Sequence, residues 1–296
     1  MSDVVLFLSY MLPGSFFLGL YDVISRKILK TGVDESFLLG TTFTISGIML
    51  AVPLFIVGIP EIKDGFWMAF WVTAILNIFA QFFWFRAFKE EEASIISPFR
   101  LLIPPLVLLT GWLTLKEVPS LVGSLGVIIT AFGLWLLLRS DAASRSIKLS
   151  EILKRRGVLF ALLGTLSFAI TYPFDKKAVI TSSSLFFAAT VFILMGLVHF
   201  AYSSIMRREE RRNFFEQFKN IRGSVFIFAL VYALGLFFSL QALNYAVAAY
   251  ASSVKRLSSL WAVLLSGALL QEKNISKKLI AVAVMFAGVI VTLFLS

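Results

Sequence analysis

Ten apolar runs divide this chain, at about 4–26, 36–58, 66–88, 93–114, 119–138, 156–175, 184–205, 224–246, 247–269 and 278–295. A helix of about 20 apolar residues, rising 1.5 Å per residue, matches the roughly 30 Å hydrocarbon thickness of a bilayer. The pattern predicts an all-α integral membrane protein of ten transmembrane helices. Between the runs, only 139–156 and 206–223 are long polar stretches, and both are too short to be domains.

The runs form two sets of five. Gly14 and Arg26-Lys27 correspond to Gly164 and Lys176-Lys177, a shift of 150 from position 14 to 164. Ala87, Ser97, Arg100, Glu117 and Gly133 correspond to Ala242, Ser252, Lys255, Glu272 and Gly288, a shift of 155 from 87 to 242. Five crossings per copy make the second copy enter the membrane inverted, the ground plan of an alternating-access carrier. The expected units are a first five-helix repeat at 1–138, a basic linker at 139–155 and a second repeat at 156–296.

Composition agrees with a membrane location. Hydrophobic residues are 59% of the 296 and charged residues 15%, and the mean hydropathy is +0.90; a soluble domain could not shelter this much apolar surface. Pro13 interrupts the first run, and the start Met1-Ser2-Asp3 lacks the cationic region of a cleavable signal, so the first helix is expected to be retained. There is no cysteine, and the single histidine, His199, lies in an apolar run. No metal-ligating cluster or cofactor motif is present, including the G-x-x-x-x-G-K-[ST] nucleotide loop.

The net charge of +10 comes from short loops, where it favours contact with anionic lipid headgroups and orientation of the chain over nucleic-acid binding. Seventeen basic residues fall on the side of Lys30, Lys89, the 139–156 linker, the 207–222 loop and Lys273 to Lys278. Four fall opposite, namely Lys63, Lys116, Lys176 and Lys177. The positive-inside rule then puts the linker in the cytoplasm and both termini outside, in a multi-pass protein of the cell membrane.

Charges inside the runs carry the functional signal. Arg26, Lys27 and Arg86 lie near helix ends and can snorkel to the interface. Arg100 and Lys255, at equivalent repeat positions, and the adjacent Arg256 lie deeper. A cation there costs at least about 2.5–3.5 kcal/mol unless it is paired or hydrated, which points to a polar cavity. Asp22 stands one turn before Arg26, within reach of an i,i+4 pair, and Asp175 abuts Lys176 and Lys177. Neither acid is dedicated to the deep cations, so an anionic substrate group is the expected counter-charge. Tyr21, Gln81, Trp84, Ser97, Tyr172, Tyr232, Tyr250 and Ser252 complete the candidate substrate-binding set with Asp22, Arg100, Lys255 and Arg256.

The blocks Ala93-Ser94-Ile95-Ile96-Ser97-Pro98-Phe99-Arg100 through Leu115-Lys116-Glu117, and Ala251-Ser252-Ser253-Val254-Lys255-Arg256 through Leu270-Gln271-Glu272, resemble the EamA repeats of the drug/metabolite transporter superfamily. Those repeats have a small-polar helix start, a long apolar stretch, a Leu-x-Glu turn and a Gly-containing fifth helix, here with Gly126, Gly133 and Gly288. The resemblance covers nearly the whole chain and implies a transporter. Relatives export amino acids, drugs and metabolites or import choline, so it leaves the cargo open. Many are drawn with cytosolic termini, against the charge pattern here. Ser253-Val254-Lys255-Arg256 also looks like the ninth-helix Lys-Arg of plastid phosphate translocators, where the pair holds the substrate phosphate; the resemblance carries no role over to Asp22.

The combined expectation is a secondary, alternating-access transporter of a small polar or amphipathic metabolite bearing a carboxylate or phosphate. It would act as a monomer or dimer in contact with membrane lipids. The alternative is a proton-coupled exporter of amino acids or cationic, drug-like compounds, with Asp22 exchanging proton and cargo. A membrane enzyme would need a nucleophile, base or metal cluster that the sequence does not present; a non-transporting receptor would bind ligand without flux.

Overall fold

A computed structural model describes residues 3–29, 33–90, 97–139, 155–206, 223–270 and 275–294, and within them every regular element is helical. The helices of the first half are α1 (Asp3–Leu29), α2 (Glu35–Ala51), the short α3 (Leu54–Val57), α4 (Phe66–Glu90), a 3-10 turn (Ser97–Leu102), α5 (Ile103–Leu115) and α6 (Leu121–Arg139). Those of the second are α7 (Arg156–Ile180), α8 (Ser184–Met206), α9 (Val225–Ala242), α10 (Ala248–Lys255), α11 (Leu257–Leu270) and α12 (Ile275–Phe294).

Six stretches among the described residues are long and apolar enough to cross a membrane: Asp3–Ser25, Ser36–Val57, Phe66–Trp84, Arg156–Ile180, Ser184–Tyr202 and Val225–Ala242. Ile103–Leu115, Leu121–Gly133 and Ala283–Thr292 are shorter apolar helices. Bulky side chains cover the outside, with Phe55 91% and Leu121 86% exposed and Trp67, Trp71, Phe79, Phe132 and Ile227 also outward. A surface this apolar is stable only against lipid.

Three of the apolar runs are interrupted. The second breaks between α2 and α3 at Pro53, which has no N–H to donate. The fourth, from Ser97 on, is a 3-10 turn that becomes α-helical at α5, where Pro104 and Pro105 occupy the first turn, in which a proline removes no intrahelical hydrogen bond. The ninth, expected to be continuous over 247–269, divides at Arg256, whose N–H reaches back only three residues to the Ser253 carbonyl (3.0 Å). The last two interruptions fall at corresponding repeat positions, and each carries the deep cations.

The halves meet at crossings that repeat under the same shifts. A Cβ on Gly14 of α1 would lie 2.9 Å from the Ser239 backbone nitrogen and 3.3 Å from the Gly235 carbonyl oxygen of α9. On Gly164 of α7 it would lie 2.7 Å from the Trp84 ring and 3.1 Å from the Ala80 carbonyl oxygen of α4. Positions 14 and 164 correspond, as do 84 with 239 and 80 with 235. Gly126 of α6 and Gly288 of α12 approach each other reciprocally, each Cβ position 2.7–2.8 Å from the other's carbonyl oxygen. Without side chains in the way, these backbones gain dispersion contacts in a medium that offers no hydrophobic drive. Ser46 donates to the Ala229 carbonyl (2.7 Å) and Thr110 to the Ala169 carbonyl (2.8 Å), adding hydrogen bonds between halves.

Candidate functional site

Between α4, the 3-10 turn, α7, α8, α9 and the α10–α11 break lies a cavity of about 260 Å³, a size suited to a small metabolite. Helical periodicity builds its polar wall. Thr73, Asn77 and Gln81 recur every four residues along α4 and so form one stripe; Phe168, Thr171, Tyr172 and Asp175 do the same on α7. Apolar side chains complete it: Phe187, Val191, Phe192 and Met195 from α8, and Leu236 and Leu240 from α9 beside Tyr232.

Three cations and one carboxylate line this space: Arg100, Lys255, Arg256 and Asp175. Thr73 donates its hydroxyl to Asp175 Oδ1 (2.9 Å), and Asn77 Nδ2 donates to the Thr73 carbonyl (3.0 Å). The Lys255 ammonium stands 5.4 Å from the centre of the Tyr172 ring, and the Arg100 guanidinium 4.4 Å from that of Trp84. Both are cation–π geometries that hold a charge without neutralising it. Gln81 Oε1, the Tyr172 hydroxyl and Arg256 Nε are buried with no hydrogen-bond partner among the described residues. Such groups are costly to leave unmet in a low-dielectric interior. A ligand offering one anionic and one donor group can meet all three.

A further contact joins the two halves beside the α10 start. Lys116 has φ +57°, a left-handed conformation uncommon for a side chain other than glycine, and its N–H bonds the Trp112 carbonyl (3.1 Å) as α5 ends. This turn directs the next residue, Glu117, across to the second half. There Glu117 forms an ion pair with Lys176, and its other oxygen accepts from the Ala248 N–H (2.9 Å) that opens α10. Lys176 also donates to the Ala246 carbonyl (2.7 Å). The profile of the EamA-like transporter family matches the chain twice, over residues 6–139 and 155–294.

The chain belongs to the EamA-like transporter family. Its Leu-x-Glu turn, Leu115-Lys116-Glu117, is thus one of the pieces of the first EamA repeat that reach the second. A solved crystal structure of a protein superposes with a TM-score of 0.74 at 17% identity, over 97% of each chain, a likeness of fold. Comparison with curated proteins gives no match.

Not every candidate residue of this EamA protein meets the cavity. Gln81, Arg100, Tyr172, Tyr232, Lys255 and Arg256 line it. Trp84 stands behind Arg100 and is buried. Tyr21 packs at a tilt against Tyr232 (ring centroids 4.5 Å) and stacks on Phe228 (4.6 Å), supporting the lining from behind. Asp22, on the next position of α1, is exposed and is not a lining residue. Tyr250 lies elsewhere: its hydroxyl accepts from the Ser120 N–H (3.1 Å) at the start of α6. Ser252 is buried and bonds the Ala249 carbonyl (2.9 Å) of its own helix. The Ser97 side chain, the Arg26 side chain, Glu272 and most of the linker lie outside the described residues.

Asp175, Thr73 and Thr171 are polar lining residues that sequence reasoning passed over. A periodicity signal was present for Asp175, which follows Thr171 by four residues while Lys176 turns about 100° away. The two neighbours therefore serve different places.

Proposed function

We propose that the protein is a secondary, alternating-access transporter of a small metabolite bearing a carboxylate or phosphate, bound in the cavity between the two EamA repeats. Lys255 and Arg256 supply the principal counter-charge, with Arg100 opposite on the first repeat; Gln81, Tyr172 and Tyr232 orient the remainder. The observation that carries this reading is the buried Arg256 Nε and Tyr172 hydroxyl, both without partners among the described residues, beside the Lys255 ammonium. An anion closes that set with charge-assisted hydrogen bonds. The full arrangement is ten crossings in two inverted five-helix repeats, 1–138 and 156–296, with the 139–155 linker cytoplasmic and both termini outside. The corresponding glycine crossings and helix interruptions support the two-fold relation.

The test is counterflow in proteoliposomes preloaded with carboxylates, phosphates or amines in separate sets. Saturable exchange of an anionic set, lost in both Lys255→Gln and Arg256→Gln protein of normal size-exclusion profile, is the expected result. Wild-type-like exchange in both variants removes the cationic-site reading, and flux confined to amines favours the alternative.

That alternative, a proton-coupled exporter of amino acids or cationic compounds, has one observation of its own. Asp175 brings a carboxylate into the same cavity as Lys255, a pair between which proton and cargo can compete. On this reading Asp175, rather than Asp22, holds the coupling proton.

A further inference from the structure

A second cavity, of about 250 Å³, opens away from the first, between α2, α4 and α8. It is lined by Ile78, Phe79, Phe82 and Arg86 of α4, Val198, His199 and Tyr202 of α8, and Ser36 of α2. Arg86 lies one turn before the end of α4, Tyr202 one turn before the end of α8, and Ser36 in the first turn of α2. All three belong to one membrane face, the face whose loops carry Lys30, Lys89 and the arginines at 207, 208, 211 and 212. The cleft therefore has a polar mouth at the interface and an aromatic wall running inward.

We propose that this cleft binds one anionic phospholipid, its phosphate on Arg86 and His199 and an acyl chain along Ile78, Phe79, Phe82 and Val198. The His199 ring is 6% exposed and its Nε2 has no hydrogen-bond partner among the described residues, yet it lines the cleft. A phosphate or ester oxygen gives that nitrogen an acceptor. The Arg86 guanidinium stands 5.5 Å from the centre of the Phe82 ring, which fixes a cation at the depth where headgroups sit. Phe79, 51% exposed, continues the wall into the bilayer. A basic mouth between membrane helices recruits anionic headgroups, and the apolar wall favours a lipid over a free ion.

The repeat does not reproduce the Arg86 cation. Position 241 corresponds to Arg86, and Gln241 there is spanned by a hydrogen bond from Ser184. The cation of the first half is therefore not a by-product of the repeat. Because α4 lines the central cavity with one face and the cleft with another, while α8 lines both with one face at successive turns, a lipid wedged here bears on the spacing of two helices from different halves.

Native mass spectrometry of the full-length protein tests the site, with phosphatidylglycerol, phosphatidylcholine of the same acyl chains, and inorganic phosphate titrated separately. The expected result is retention of one phosphatidylglycerol in preference to phosphatidylcholine and no retention of phosphate. Arg86→Gln lowers the phosphatidylglycerol affinity by about tenfold, the scale of one charged hydrogen bond. Phe79→Trp, on the outer surface where bulk is tolerated, fills the acyl groove and lowers it independently should Arg86→Gln not fold. Equal retention of both lipids, phosphate bound as well as phosphatidylglycerol, or undiminished binding in the folded variants overturns the proposal.

Discussion

The Glu117 carboxylate of the first repeat and the Lys176 ammonium of the second form an ion pair whose side chains are only 13% and 16% exposed. The contact joins the Leu-x-Glu turn to α7 and, through the Ala248 N–H, to the start of α10. It ties together the two halves that separate under the proposed mechanism.

Glu117→Gln keeps the shape and removes the charge, leaving Lys176 poorly matched. The expected loss is about 3 kcal/mol of stability, the scale for stripping one partner from a mostly buried pair. Thermal unfolding in detergent measures it. Under the proposed mechanism, labelling of a cysteine at Ser183 also becomes faster. By the repeat shifts, Arg26 and Glu272 correspond to Lys176 and Glu117, so under the same mechanism Glu272→Gln is expected to bias accessibility the other way.

Asp175→Asn separates the two functional readings. If the carboxylate carries the coupling proton, substrate counterflow persists while uptake driven by a pH gradient disappears. Retention of gradient-driven uptake in the variant assigns Asp175 to substrate positioning alone.

Tyr250→Phe deletes the acceptor for the Ser120 N–H and leaves the cavity lining intact. A loss of about 1 kcal/mol is expected, read as a lower Tm, with unchanged substrate affinity in a thermal-shift titration. A change in affinity at constant stability would place Tyr250 in the binding machinery.

Gly14→Ala and Gly164→Ala each press a methyl onto the facing helix at the corresponding crossings. Each is expected to cost about 1–3 kcal/mol, as overpacking does. Gly223→Ala meets nothing within 4 Å and serves as the neutral comparison. Equal Tm values for all three would show that the helices are not held at the separation described.

The helical class and family were legible because hydropathy and repeat spacing are properties of the chain read along its length. The deep cations were legible too, since a charge within an apolar run stands out whichever way its helix faces. Rotation about a helix axis is what the sequence conceals. Tyr250 and Ser252 share a helix with Lys255, but Tyr250 faces α6 and Ser252 closes on its own backbone. Asp175 looked like part of a charged helix end beside Lys176 and Lys177, whereas the turn of α7 directs it to the cavity. The break at Arg256 left no proline to announce it.

The cation excess lining the central cavity has an electrical consequence. Among the described residues its lining has three cations to one carboxylate, and on the proposed reading an anionic cargo offsets part of that charge. Any movement of the cavity within the field is then felt differently by the loaded and the vacant protein, on a scale of about 2.3 kcal/mol per charge per 100 mV for a full traverse. Under the proposed mechanism, membrane voltage thus acts chiefly on the vacant return step and sets a direction for net flux.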